Sequence, residues 1–392
     1  MRILMHEPTD ELFLGVMHPD AALFSDYLNI EQAAAEHANY RRELTESGAK
    51  VLTVREILLK DTLDGDGKTI QGKALDDLRE FASEFLIYNT DNIPGEAAAQ
   101  EAYKSEVLAK ASPRDLVRII FLQPEIVLDS TESNTGITAT YIQYPLMNML
   151  YMRDQMIATS KGIVIGRMNS PQRETECRIA QFCLDKIGVP VIAHIEGEDA
   201  YLEGGDFLQF FNSAFIGCGL RTTPAAIEQL MSRNLLGYDR LMVVKDNWLE
   251  QEQMHLDTYF NVIDRDLATL SEERYKAGPD SDRYLTVDVY ERSAEGAPYL
   301  KIAENMDFVD YLKNTLGMTV IPIAREDELK FANNYLTIKP RHIMAVAGQS
   351  QKLQDELRSL GVNVVWVPLT NLIRGYGAAH CMTQILEPDE VF

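Results

Sequence analysis

A histidine and a cysteine stand side by side near the end of the chain, in Asn371-Leu-Ile-Arg374-Gly375-Tyr376-Gly377-Ala-Ala-His380-Cys381-Met382. The stretch follows an apolar run from Val362 to Leu369 that reads as a buried strand. A cysteine delivered by such a loop is a candidate nucleophile, because the thiolate attacks and thiolates form where they are partly exposed and electrostatically favoured. Gly375 and Gly377 can adopt backbone angles closed to other residues, so the loop can fold tightly or move. Taken alone, Cys381 also fits the commoner fate of a free cysteine, a small buried hydrophobe.

Three further stretches carry reactive side chains. Asn148-Met-Leu-Tyr151-Met-Arg153-Asp154 holds an Arg-Asp pair, which in isolation reads as a satisfied structural ion pair. Glu203-Gly204-Gly205-Asp206 sets two carboxylates around paired glycines that allow close backbone approach. An acidic turn explains it too, since Glu196, Glu198 and Asp199 lie just upstream. His255-Leu256-Asp257-Thr258, if extended, points His255 and Asp257 to one face, where they can share acid/base and cation-binding work.

Composition narrows the function classes. The chain has 392 residues, 46% of them hydrophobic, which is enough for a large core. The net charge of -23, with no basic block, argues against nucleic acid as a partner and favours a cationic substrate. No apolar run is long enough to predict a membrane span, and no signal peptide is expected. Cys177, Cys183, Cys218 and Cys381 form no disulfide-scaffold pattern, which points to a reducing cytoplasm. Cysteines and histidines show no CxxC or HExxH spacing, so no metal site is expected.

These residues need elements to position them. Arg2 to Met5 reads as a strand, and Glu31 to Ser47 as a helix capped by Gly48. The order helix, glycine, short apolar strand then recurs at Gly188, Gly237, Gly317 and Gly361. Five such units fit a diverged α/β repeat, with extra sequence in the first and third intervals. A doubly wound sheet also alternates helix and strand, but no G-x-G-x-x-G opens a helix after the first strand. Residues 72–130, rich in Ala, Leu, Glu, Lys and Asp at helical spacing, read as a helical insertion in one unit that runs over 1–392. Asp129 to Thr140 reads as a loop, and Tyr284 to Ala303 as a hairpin.

In this order, Tyr151-Met-Arg-Asp154, Arg173-Glu-Thr, Glu203-Gly-Gly-Asp206, Gly219-Leu-Arg221-Thr-Thr, Met254-His-Leu-Asp257-Thr and Arg374-Gly…His380-Cys381-Met resemble the motifs of arginine deiminase. The resemblance covers nearly the whole chain and implies the five-bladed α/β propeller of the pentein superfamily, in agreement with the five repeats. It implies hydrolysis of L-arginine to citrulline without metal or organic cofactor. Cys381 would attack the guanidinium carbon, Asp154 and Asp257 would grip the guanidinium, and His255, oriented by Glu203, would move protons. Arg173 and Arg221 match the family's carboxylate-binding arginines, Asn148 and Tyr151 match pocket-lining positions, and Asp206 would support Glu203 and the glycine turn or help hold the substrate amino acid. The chain departs from the common Arg-Gly-Arg-Gly-Gly-Gly-His-Cys pattern, with Tyr376 for the second arginine and Ala378 and Ala379 for two glycines. Agmatine deiminase, amidinotransferase and non-catalytic arginine-binding readings, and assembly into a homo-oligomer, stay open at this stage.

Overall fold

The computed structural model describes residues 1–133 and 135–387. Residue 134, within the stretch expected as a loop, and the last five residues of the expected 1–392 unit lie outside it.

One motif is built five times: a strand runs antiparallel to a second, a helix follows, a glycine turns the chain, and a third strand returns parallel to the second. Met156–Thr159, Gly162–Ile165 and Val191–His194 form one such sheet, with the helix Glu174–Ile187 between the last two strands. Phe207–Phe210, Ser213–Cys218 and Arg240–Lys245 form the next. Phe260–Asp264, Leu267–Ser271 and Thr319–Ile323 form another, and Leu336–Lys339, His342–Val346 and Asn363–Val367 another. The remaining unit is closed by the two ends of the chain: Gln384–Ile385 pairs antiparallel with Arg2–Met5, which pairs parallel with Lys50–Thr53. The repeat has a local physical cause. Gly48, Gly188, Gly237, Gly317 and Gly361 all adopt positive φ, between 69° and 93°. That left-handed turn stops a helix and redirects the chain into a strand, and side chains resist it.

The sheet that holds Arg240–Lys245 continues outward through Thr286–Glu291 and Leu300–Asp307, the hairpin expected from the sequence. The 72–130 segment contains the helices Lys73–Ser83, Ala97–Lys110 and Pro113–Leu122, but it is not wholly helical. Ile87–Asn89 and Pro124–Ser130 pair in parallel, and Ile137–Gln143 adds an antiparallel third strand. The stretch read as a Ser/Thr/Asn-rich loop is therefore mostly hairpin. Its polar residues sit at and near the tip, while Ile137, Thr138 and Thr140 are β-branched residues that favour the strand they form. Among the described residues no helix is long and apolar enough to cross a membrane.

Candidate active site

Cys381 sits in a loop after strand Asn363–Val367 and the short helical turn Leu372–Gly375. The residue in left-handed conformation is Tyr376, at φ 61°, while Gly375 and Gly377 keep ordinary φ. The two glycines serve close approach instead of unusual backbone angles. A Cβ on Gly377 would fall 2.8 Å from the Tyr151 ring and 2.9 Å from Cys381 Cβ, and one on Gly375 would overlap the Tyr151 hydroxyl. Tyr151 fills that space and donates its hydroxyl to Leu372 O at 2.7 Å. Arg374 turns outward, 3.3 Å from Asp26.

Asn334 has no motif to announce it, yet it holds the nucleophile loop. It is fully buried. Its Oδ1 accepts from the N–H groups of Ala378 at 2.9 Å and Cys381 at 3.1 Å. Its Nδ2 donates to Asp257 O at 3.1 Å and lies 3.0 Å from Cys381 Sγ. In sequence, Asn333-Asn334 is an ordinary turn pair; only tertiary burial makes it a clamp.

Cys381 Sγ also lies 3.4 Å from Asp257 Oδ2, and the same oxygen is 2.6 Å from His380 Nδ1. Burial and the Arg153 cation push His380 down to about 4, so its imidazole is neutral and gives its Nδ1–H to Asp257. Burial, then the charges of Asp257 and Asp154, push the Cys381 thiol well above its ordinary range.

The second half of the site is built on His255. The expectation of an extended His-Leu-Asp stretch is only half met: His255 is extended, but Leu256–Tyr259 is a helical turn that His255 caps. The turn, not strand alternation, sends His255 and Asp257 into one site. Asp206 Oδ1 accepts from Leu256 N at 2.9 Å and fixes the start of that turn. Burial raises Asp206 to about 6. His255 Nε2 meets Glu203 Oε2 at 2.8 Å, and Nδ1 is 3.7 Å from Asp154 Oδ1. Burial opposes the imidazolium, but the Asp154 and Glu203 carboxylates outweigh it and raise His255 to about 9. Glu203, against the same opposition, is held at about 2 by its His255 hydrogen bond. His255 is thus a protonated acid at neutral pH.

The glycines of the Glu-Gly-Gly-Asp motif again serve proximity. A Cβ on Gly205 would sit 2.6 Å from His255 Nδ1. One on Gly204 would overlap the carbonyls of Arg153 and Met156. Gly205→Ala is therefore expected to displace the imidazole and lower turnover by at least about tenfold, with a smaller effect on melting. Unchanged kcat in steady-state kinetics would contradict this packing role.

Arg153 and Asp154 do not pair with each other, contrary to the simplest reading of their adjacency. Asp154 Oδ2 meets Arg173 Nη1 at 2.8 Å, and Arg153 turns away to Cys381 O and His380 O. Arg173 is also committed: it binds Glu176 Oε2 at 2.8 Å and donates to Asn148 O at 3.3 Å. Glu176, which follows the Arg173-Glu-Thr motif and was missed from sequence, is itself held by Gln155 at 2.6 Å.

Cys381, His255, Asp154, Arg173, Asn148 and Tyr151, with Tyr376 and Met254, line one narrow cavity of about 20 Å³. Asn148 is fixed there by donating to Ala22 O at 2.9 Å. Glu203, Asp206 and Asp257 stand behind the wall and are not part of the lining. Arg221 lies to one side, 3.0 Å from Gln251 Oε1 and 3.9 Å from Glu203 Oε1. Asp154 Oδ1 and Asp257 Oδ1 are buried without a hydrogen-bond partner. Asp154, Glu203 and His255 place one ligand atom each within 4.8 Å of one another, the one such group among the described residues. Glu203 and His255 already hydrogen-bond each other at 2.8 Å, and three ligands leave a cation incompletely coordinated. The arrangement offers a sulfur nucleophile, a protonated imidazole and two carboxylates with open oxygens, a set suited to a planar cation.

Comparison with known proteins agrees with that chemistry. The chain is 24% identical to arginine deiminase of Halobacterium salinarum, covering 97% of this chain and 93% of the relative. It is 26% identical to arginine deiminase of Mycoplasma capricolum, covering 98% and 94%. Among solved structures, DDAH from Pseudomonas aeruginosa, a cysteine-to-serine mutant complexed with citrulline, is similar with TM-score 0.55 at 14% identity, covering 97% of each chain. The N-terminal domain of ArgZ, an arginine dihydrolase of cyanobacteria bound to substrate, is similar with TM-score 0.57 at 13% identity, covering 98% of this chain and 97% of that one. These neighbours share the pentein-type mixed α/β fold. The model of the arginine deiminase family matches residues 20–387, and on that match the chain belongs to the arginine deiminase family.

Proposed function

We propose that this enzyme hydrolyses the guanidinium of free L-arginine to L-citrulline and ammonia, through a covalent S-alkylthiouronium intermediate on Cys381. The observation that carries the reading is the pair of buried carboxylates: Asp154, whose open Oδ1 lies 3.7 Å from His255 Nδ1, and Asp257, whose Oδ2 lies 3.4 Å from Cys381 Sγ and whose Oδ1 is unpaired. A guanidinium presents paired N–H donors to such oxygens.

The high thiol pKa fits this chemistry. Without substrate, burial and then the Asp257 and Asp154 charges favour the thiol form of Cys381. A bound guanidinium cation offsets both charges, so the thiolate forms where its target lies. Sulfur attacks the guanidinium carbon, and the C–N bond to the departing nitrogen breaks as His255 delivers a proton, releasing ammonia. Neutral His255 then takes a proton from water, the resulting hydroxide attacks the same carbon, and the C–S bond breaks to give citrulline and the thiolate. Glu203 orients the imidazole throughout. When Asp154 turns to the guanidinium, Arg173 Nη1 loses its partner and becomes open to an α-carboxylate. Arg221, with its buried Nε unpartnered, is the second candidate for that role.

In this reading the five sheets close into a five-bladed propeller, residues 72–130 form an insertion in a single catalytic domain, and the four free cysteines fit a cytoplasmic location. Incubation with L-arginine, and separately with agmatine, is expected to give equal amounts of citrulline and ammonia from L-arginine and little product from agmatine. Comparable rates on both would remove the α-carboxylate from recognition; amidino transfer to an added amine would overturn hydrolysis.

A further inference from the structure

Arg153 is a motif residue that the proposed reaction leaves without a task. Its backbone N–H donates to Cys381 O at 2.9 Å, and its Nε to His380 O at 3.3 Å. A guanidinium carries five N–H groups. Among the described residues Nη1 and Nη2 make no hydrogen bond, and Nη2 is buried. The residue is only 7% exposed.

Arg153 lines a second cavity, about 60 Å³, that shares no lining residue with the substrate cavity. All five repeats contribute their first strand to its wall, through Met156, Phe207, Asn261, Leu336 and Gln384 and their neighbours. No aspartate or glutamate lines it. The neutral polar groups are largely committed to the backbone. Thr337 Oγ1 donates to Val262 O at 2.7 Å, Asn261 Nδ2 to Asn333 O and Tyr335 O at 2.9 Å, and Gln384 Nε2 to Ile385 O at 2.7 Å. Burial works against the Arg153 charge, and Asp257, bound instead to His380, relieves it only in part. A buried cation with unused donors facing a cavity is a strong call for a counter-ion.

We propose that this cavity binds a small monovalent inorganic anion of the chloride class against Arg153 Nη1, the guanidinium nitrogen that has no hydrogen bond and is not sealed from the cavity. A single cation among neutral and apolar walls matches a single negative charge, and gives no second charge for a dianion such as phosphate. The site lies behind the nucleophile loop. Because Arg153 also holds Cys381 O and His380 O, an occupied site braces that loop from the side opposite the substrate.

The test is thermal unfolding of the full chain at constant ionic strength, with chloride replacing gluconate. Chloride at ten times its dissociation constant is expected to raise Tm by about 2 °C, with saturation. Gln384→Glu places a carboxylate in the cavity as a built-in counter-ion and is expected to abolish the chloride response. Equal melting in chloride and gluconate, or a full response retained in Gln384→Glu, would overturn the proposal. If that variant does not fold, anomalous diffraction from bromide-soaked crystals of the unmodified protein decides. A bromide peak on the Arg153 guanidinium supports the site, and water alone there refutes it.

Discussion

Cys381→Ala is expected to lower L-arginine turnover by at least about a thousandfold while leaving the melting temperature within a few degrees of the parent. The nucleophile has no substitute within reach: Cys177 and Cys183 are buried in the helix Glu174–Ile187, and burial pushes the Cys183 thiol up to about 12. The loop itself does not depend on the sulfur. Asn334 Oδ1 binds the backbone N–H groups of Ala378 and Cys381, and Arg153 binds the backbone carbonyls of His380 and Cys381, all of which alanine retains. Removing the thiol takes one weak donor from Asp257 Oδ2, at 3.4 Å, and leaves it the His380 Nδ1 donor at 2.6 Å. Steady-state citrulline formation together with calorimetry checks both halves. Turnover within tenfold of the parent would rule out the covalent route through this sulfur.

Asp257→Asn is expected to move two readouts of one site in opposite directions. Turnover falls by at least about a hundredfold, because one of the two carboxylates that grip the guanidinium is neutralised. Alkylation of Cys381 by iodoacetamide at pH 7 rises by about tenfold, because after burial the Asp257 charge is the largest influence holding the thiol protonated. A variant that had only loosened the fold would expose Cys177 and Cys183 as well, so alkylation is read by peptide mapping on each cysteine. Slower or unchanged modification of Cys381 would show that Asp257 does not set the thiol's protonation, and the account of substrate-assisted ionisation would fail with it.

Side-chain chemistry and local turns were legible without coordinates. A positive-φ glycine between helix and strand is a local requirement, so Gly48, Gly188, Gly237, Gly317 and Gly361 mark five repeats in the sequence. Cys381, His255, Asp154, Asn148, Tyr151 and Arg173 do converge on one cavity, because each motif falls just before or after a strand of those repeats. Other features belong to contacts between distant segments, and no periodicity reports them. His255 and Asp257 meet through a helical turn pinned by Asp206, not through strand alternation. The motif glycines exist to admit the Tyr151 and His255 rings, which lie on other segments of the chain. Adjacent Arg153 and Asp154 part company, because one faces the cavity lined by the first strands of the repeats and the other the substrate cavity. Asn334 became the clamp on Cys381 only when folding buried its amide against four groups of two other segments. The sequence by itself determined which reactive groups exist and how many α/β units carry them; tertiary structure decided which of their oxygens and nitrogens were left unpaired, since that depends on neighbours brought in from across the chain.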